Sequence, residues 1–319
     1  MNYKSIVGII KKHKKFLVTT HVNPDADAIG SALAMAVVLK SLGKTVMVFN
    51  EDPVPGWLKF LPKTAWVKKP SDVKEFDYDV AIAVDCGDAA RIGNVRGLLR
   101  TGKILVNIDH HKTNDLFGDA NVVLPKASST AEVLYEIFKE MKVVWSKELA
   151  SLIYAGIMTD TGSFRYDCTS ARTHAIAGEL LACGVYPQEI YTGIYDVVSV
   201  GDLKVFTKIA NKVEFIEDGK VACLELRKKD LSKVSDGFDV RDRMFGFLRS
   251  AQGVEVIVIL NEVGKFRTRV NFRSKGRVDV AQLAAQFQGG GHAKASGCTL
   301  EAGIKEARKE ILNAIGKEL

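Results

Sequence analysis

The chain has 319 residues, and at roughly 150 residues per domain that length predicts two domains, each with its own core. Hydrophobic residues make up 47% and charged residues 26%, a globular balance that excludes a disordered tail protein or a fibrous repeat. The net charge of +7 mildly favours anionic partners, while the longest apolar run, Ala32 to Leu39, is far short of the roughly 20 residues of a membrane-spanning helix and excludes a transmembrane role.

Met1 to Phe16 interleaves Lys11, Lys12, Lys14 and Lys15 with apolar residues and reads as a surface helix rather than a secretion signal. Phe16 to Thr20 reads as a strand, and Asp27 then precedes a helical run from Ala28 to Leu42, which Gly43 ends in a left-handed cap. Thr45 to Phe49, Val80 to Val84 and Ile104 to Ile108 repeat the strand signal. Helices are expected from Ser129 to Met141, from Lys147 to about Met158, and from Ser170 up to Gly184. This alternation predicts an α/β fold: a doubly wound parallel sheet with helices on both faces over residues 1–186. A weakly patterned stretch over 187–203 reads as a linker to a smaller mixed α/β domain over 204–319. Its strand signals are Val213 to Ile216, Val221 to Leu226, Val254 to Leu260 and Phe266 to Phe272, and a last helix runs from Ile304. Five cysteines with no C-x-x-C pair argue against a disulfide framework or a cysteine zinc site and fit a reducing cytoplasm.

Four clusters carry chemistry. His21, Asp25 and Asp27 crowd the turn between the first strand and helix, where neighbouring carboxylates repel unless a cation sits among them. The plainer alternative is that Asp27 only caps the helix. Asp85 ends an otherwise apolar strand, where an unpaired acid costs stability. Asp109, His110 and His111 follow the next strand, and Asp160 follows an apolar helix, an electrostatically poor place for a lone carboxylate. In a doubly wound sheet the residues after the strand ends converge on one crevice, so His21, Asp25, Asp27, Asp85, His110 and His111 are expected to share a site. Carboxylates with a few imidazoles suit Mn²⁺ or Mg²⁺.

His21-x₃-Asp25-x-Asp27, Asp85, Asp109-His110-His111 and Asp160 resemble, in order and spacing, the four motifs of the DHH phosphoesterase superfamily. Gly289-Gly290-Gly291-His292-Ala293-Lys294-Ala295-Ser296-Gly297 resembles the glycine-rich signature of its DHHA1 domain. Together they are similar to the nanoRNase and pAp phosphatase subfamily. That resemblance implies two divalent ions, Mn²⁺ or else Mg²⁺: His21 and Asp25 on one, Asp27, His110 and Asp160 on the other, and Asp85 between them. It implies hydroxide attack on phosphorus in short RNA or small nucleotides held between the domains, with Asp85, His110 and His111 catalytic. The role of His111 is either to contact a phosphate or leaving group or to orient a neighbour. The family usually has Gly where this chain has Ala26 and often where it has Gln288. No membrane or stable DNA partner is implied, and a homodimer is the family-based expectation. Enzymes of linear or cyclic dinucleotides are the same-chemistry alternative, and a nucleotide sensor without turnover is the alternative from another class.

In the second domain, consecutive glycines are expected to form a phosphate-cradling loop beside His292 and Ser296. Arg267, Arg269 and Arg273, with Asn271, fall on alternate positions of one strand and so on one face, suited to phosphate oxygens. Phe164 and Tyr166 are read either as stacking platforms for a base or as core.

Overall fold

In the first strand Phe16 and Val18 point to one side and Leu17 to the other, and all three are buried, as a strand covered on both faces requires. The computed structural model describes residues 3–72, 76–196, 198–235 and 238–319, and its contacts divide into two compact units, Met1–Val197 and Val198–Leu319. The first unit carries α1 (Tyr3–Lys12), β1 (Lys15–Thr19), α2 (Ala26–Ser41), β2 (Thr45–Phe49), β3 (Val67–Lys68), β4 (Val80–Val84), β5 (Ile104–Asp109) and β6 (Ala120–Val123). It continues with α3 (Thr130–Glu140), α4 (Lys147–Asp160), α5 (Ala171–Ala182) and α6 (Pro187–Tyr195).

All pairings of the first sheet are parallel, in the order β3-β2-β1-β4-β5-β6. Such an order places a topological switch between β1 and β4, and the chain leaves these two strands in opposite directions to open a crevice at their C-terminal ends. The α-helices pack into one large apolar cluster on one face; the other face is covered by Ile92 and Val95 of a 3₁₀ segment, Ala89–Leu98, with Tyr78. Short edge strands β3 and β6 were not legible in the hydrophobic pattern.

The second unit holds α7 (Val200–Ala210), β7 (Glu214–Ile216), β8 (Val221–Leu226), α8 (Lys228–Leu231), α9 (Val240–Arg249), β9 (Val256–Gly264), β10 (Arg267–Ser274), α10 (Val280–Ala285), β11 (Gly290–His292), β12 (Ala295–Leu300) and α11 (Ile304–Ile315). Its sheet runs β11-β12-β10-β9-β8-β7 and is mixed, with β8 and β9 parallel and the other pairs antiparallel. One face packs on α10 and α11; the β8–β9 half of the other packs on α7 and α9. The segment 187–203, expected as a linker, carries α6 and the start of α7. Pro187 stands at the start of α6, where a missing N–H costs nothing, and Ser199 caps α7 by accepting from Asp202 N.

Where α2 and α4 cross, Gly30 permits contact at backbone distance: a Cβ built there would lie 2.6 Å from the Leu152 carbonyl oxygen. Gly30→Ala is expected to cost about 2 kcal/mol by overpacking and to lower Tm by roughly 4–8 °C in a thermal melt. An unchanged Tm would mean that the two helices can separate without loss.

Candidate metal centre and substrate face

Asp25, not Asp27, is the N-cap of α2: its Oδ1 accepts from Ala28 N, so the helix begins at Ala26, earlier than the apolar pattern suggests. That turn places Asp27 inside the first helical turn, fully buried, where it meets a second helix. Its Oδ2 accepts from Thr130 N at 2.7 Å and its Oδ1 from Ala131 N at 2.8 Å, the otherwise unpartnered donors at the start of α3. Asp27 does cap a helix, but not its own. Gly156 of α4 makes room for it, since a Cβ there would lie 2.5 Å from Asp27 Oδ1.

Asp85 leaves β4 in the left-handed region, φ +59, which an aspartate tolerates better than most residues, and its amide donates to the Ile108 carbonyl at 2.9 Å. The turn sends its carboxylate, 2% exposed, into the crevice, where Oδ1 accepts from the Thr130 hydroxyl at 2.9 Å. Three imidazoles surround it: His21 Nε2 lies 3.4 Å from Oδ2, His110 Nε2 3.8 Å and His111 Nδ1 3.7 Å from Oδ1. His21 Nε2 is also 3.9 Å from Asp25 Oδ2, and its Nδ1 donates to the Val22 carbonyl at 2.8 Å, which leaves Nε2 facing the acids. His110 Nε2 lies 3.2 Å from Asp160 Oδ2. Asp160 is the last residue of α4 and does not follow it, so its charge meets the negative end of its own helix and is offset by His110.

His21, Asp25, Asp27, Asp85, His110, His111 and Asp160 therefore converge, five of them from the loops after β1, β4 and β5, Asp27 from the first turn of α2 and Asp160 from the end of α4. They fall into three overlapping groups whose donor atoms lie within 4.8 Å of one another: His21 with Asp25 and Asp85; Asp27 with His110 and Asp160; Asp85 with His110 and His111. The field of this cluster shows in its proton affinities. Burial alone would lower His110, but its bond to Asp160 and the charges of Asp27 and Asp85 push it up to about 10. Burial, with the Asp85 and Asp25 charges, raises Asp160 to about 6, and burial with Asp85 and Asp160 lifts Asp27 well above the usual carboxylate range. Burial works against Asp85 too, yet its bond to His21 and the charges of His21, His110 and His111 hold it below that range. Hard oxygen donors interleaved with imidazoles, with acids too close to stay charged without a counter-charge, can hold divalent metal.

His111 differs from the others. Its Nδ1 lies 2.7 Å from Asp109 Oδ1, and Asp109 also accepts from Asn114 Nδ2 at 2.6 Å, so the ring is fixed by a buried acid and presents Nε2 away from it. Phe164 is taken up by packing, stacked on His174 at 5.3 Å and tilted on Tyr154 at 5.9 Å, whereas Tyr166 is 47% exposed.

In the second unit, Gly290, Gly291 and His292 form an edge strand, β11, and not a phosphate-cradling loop. Directly opposed residues share a face, so Arg269 lies with Thr299, Asn271 with Gly297 and Gly290, and Arg273 with Ala295 and His292. Where α7 and α9 stop covering the sheet, this face has a floor of Gly297 and Gly290 rimmed by Arg269, Arg273 and His292. Arg273 is stacked on Phe245, 4.6 Å from its ring centroid. Arg267 keeps the same side of β10 by alternation but pairs with Glu301 at 3.2 Å. Ser296 corrects the expectation made for it: strand alternation turns it to the opposite face, where it is buried and its hydroxyl donates to the Val280 carbonyl. Gly291 lies opposite Ser296, so its close approach, 2.6 Å from a built Cβ to the Ser296 Cα, is a packing requirement of the hairpin.

The DHH family, N-terminal domain, matches residues 15–157, and the DHHA1 domain matches residues 218–319. The chain is 32% identical over 303 residues to the bifunctional oligoribonuclease and PAP phosphatase NrnA of Thermus thermophilus, covering 95% of this chain and 89% of that one. The chain belongs to the DHH–DHHA1 phosphoesterase family. It is also 30% identical to the protein of the same name from Bacillus subtilis, covering 92% of each chain. The crystal structure of an exopolyphosphatase-related protein from Bacteroides fragilis superposes with a TM-score of 0.90 at 28% identity, covering 99% of this chain and 95% of that one.

Two residues that orient this DHH site escaped the sequence reading as contributors: Thr130, whose hydroxyl and amide reach Asp85 and Asp27, and Asn114, which holds Asp109. Thr130 had a weak signal in the Ser-Ser-Thr run before a helix; Asn114 had none. Addition of a divalent cation at about 100 times its dissociation constant is expected to stabilise the protein by about 2.7 kcal/mol, read as a rise in Tm. Asp85→Asn should remove most of that rise while far-UV circular dichroism stays unchanged; an equal rise in the variant would exclude Asp85 as a ligand.

Proposed function

We propose that the chain is a metal-dependent phosphodiesterase and exoribonuclease that degrades RNA oligonucleotides of a few residues to mononucleotides and also removes a phosphate from 3′-phosphoadenosine 5′-phosphate. The observation that carries this reading is the position of Asp85, whose carboxylate lies within 3.8 Å of three imidazoles from two strand ends. The names of the Thermus and Bacillus relatives support the same substrate class.

The residues fit two divalent ions, Mn²⁺ or Mg²⁺: His21 and Asp25 would hold one, Asp27, His110 and Asp160 the other, and Asp85 both. When bound, such a pair supplies a water of lowered pKa and neutralises charge that builds on the phosphoryl oxygens. The chain's own part is positional. Val22 aims His21, Thr130 fixes Asp85 and Asp27, and Asp109 fixes His111 and favours its protonated form, in which Nε2–H would donate to a phosphate or leaving-group oxygen. In the second unit Arg269, Arg273 and His292 would take the phosphates of the bound nucleotide over the Gly290–Gly297 floor. The five cysteines are all free, which fits a reducing compartment, and we assign the enzyme to the cytoplasm.

The test is a side-by-side measurement of rates on a dinucleotide RNA, a five-mer, pAp and c-di-AMP with Mn²⁺. Turnover of the first three, its loss on chelation, and a fall in kcat of more than about 10³ in Asp85→Asn are expected. Preference for c-di-AMP would replace the substrate assignment, and rates that survive chelation would end the metal-dependent reading. His111→Ala is expected to lower kcat by about 10²-fold with little change in metal-induced Tm, as a donor outside the ion shell would. Loss of the Tm rise in that variant would make His111 a ligand instead.

A further inference from the structure

A second basic feature lies in the first unit, apart from the metal pocket. The segment that joins β2 and β3 borders an open cavity of about 440 Å³, within the size range of small-ligand sites. Lys59, Lys68 and Lys69 line it together with Thr64, Asp52 and Asp72. Both acids in the wall are already engaged by main-chain donors: Asp52 Oδ2 accepts from Asn23 N at 2.6 Å, and Asp72 Oδ2 accepts from Lys69 N at 3.1 Å. Among the described residues, none of the three lysine ammonium groups has a carboxylate or hydrogen-bond partner. Three lysines against two carboxylates leave this lining with a net positive charge, the sign that a phosphate oxygen meets favourably.

The position of the cavity in the fold identifies the phosphate's source. It stands at the same C-terminal edge of the sheet as the metal pocket, beyond β2 and β3, and β3 is two strands away from β1, roughly 10 Å. The two places are joined by a hydrogen bond. Asp52 in the cavity wall holds Asn23, a left-handed residue at φ +53 between the metal-pocket residues His21 and Asp25. A ligand with one phosphate at the metals and further phosphates spaced along a flexible chain matches this layout; a single small anion would use only one end of it.

We propose that this cavity is an accessory phosphate site that takes non-scissile phosphates of an oligonucleotide whose reacting end lies in the metal pocket. The proposal rests on the phosphodiesterase reading above and adds to it a preference for substrates longer than two nucleotides, set by Lys59, Lys68 and Lys69.

The experiment compares the wild-type chain with the triple variant Lys59→Gln, Lys68→Gln, Lys69→Gln and with the corresponding triple arginine variant. The ratio of kcat/KM on a five-mer RNA to kcat/KM on a dinucleotide is expected to fall about tenfold in the glutamine variant, through KM, and to recover with arginine. The slope of log affinity against log salt for the five-mer should flatten by about 0.7 for each phosphate that a lysine no longer neutralises. An unchanged ratio overturns the proposal. Fluorescence anisotropy of a labelled five-mer in the presence of chelator gives a readout that needs no turnover. If the wild type cleaves no RNA the functional reading fails, and weaker binding by the glutamine variant still supports the site while equal binding refutes it. Inorganic phosphate provides the remaining arm: if millimolar phosphate alters dinucleotide turnover in the wild type and not in the glutamine variant, the cavity binds a free anion and the proposal falls.

Discussion

Two buried acids, Asp27 and Asp85, set the terms on which the first unit folds. An ionised carboxylate removed from water is destabilising by several kcal/mol unless hydrogen bonds and counter-charge replace its hydration. The fold supplies both from unconnected parts of the chain. Asp27 draws on the free N–H groups of α3, Asp85 on the Thr130 hydroxyl, and three imidazoles gather around Asp85. Without a bound cation the imidazoles carry the compensating charge, which is why His110 holds its proton up to about 10. A divalent ion would take over that role, and His21 and His110 would each give up a proton to become donors to it. The acid cluster is therefore a site whose stability and ligand affinity are the same electrostatic problem.

This requirement reaches into the helix packing. Asp160 can join the pocket only because α4 lies close along α2, and that approach depends on glycine at the crossing. Gly156 does two things at once, admitting Asp27 and allowing Ala131 of α3 to approach, so the packing of three helices and the placement of the Asp27 carboxylate share one missing methyl group. The family's usual glycine between the two acids of the first motif is Ala26 here, buried as the first residue of α2, and the chain accepts it because φ and burial there are ordinary for a helix. Gln288 is different, since at φ +56 it occupies the region that favours glycine.

Most of the metal pocket was legible in the sequence because it lies where parallel strands end. His21, Asp85 and His110 each follow an apolar run that can only be a buried strand, and the sheet's topology does the rest. Asp160 stood out as a carboxylate at a helix end, but its place in the pocket came only from the resemblance, because no periodicity shows which helix lies against which. The cap of α3 by Asp27 was illegible for the same reason: it joins residues about a hundred positions apart. In the second unit the arginine stripe was readable from alternation, but the glycine run was not, since three glycines have no side chains to show a strand period and read as a turn. Ser296 was misassigned by proximity in sequence, where alternation with Ala295 sets it on the far side of the sheet.

The two candidate sites, the acid cluster of the first unit and the arginine face of the second, differ in the sign of charge they present. The acids of the first unit offer a phosphate no attraction of their own until cations join them, whereas the guanidinium groups of Arg269 and Arg273 are charged throughout. Attraction by exposed arginines weakens with salt, because counter-ions screen charges separated by more than about 10 Å at 0.1 M. A half-buried pocket with ions in contact with oxygen is screened far less. On the proposed function, recognition by the second unit would be the salt-sensitive part of binding and chemistry in the first the metal-sensitive part. A half-sheet with a glycine floor would serve such recognition because a flat ring could come within van der Waals distance of the main chain, while the strands set the spacing at which the rim residues stand.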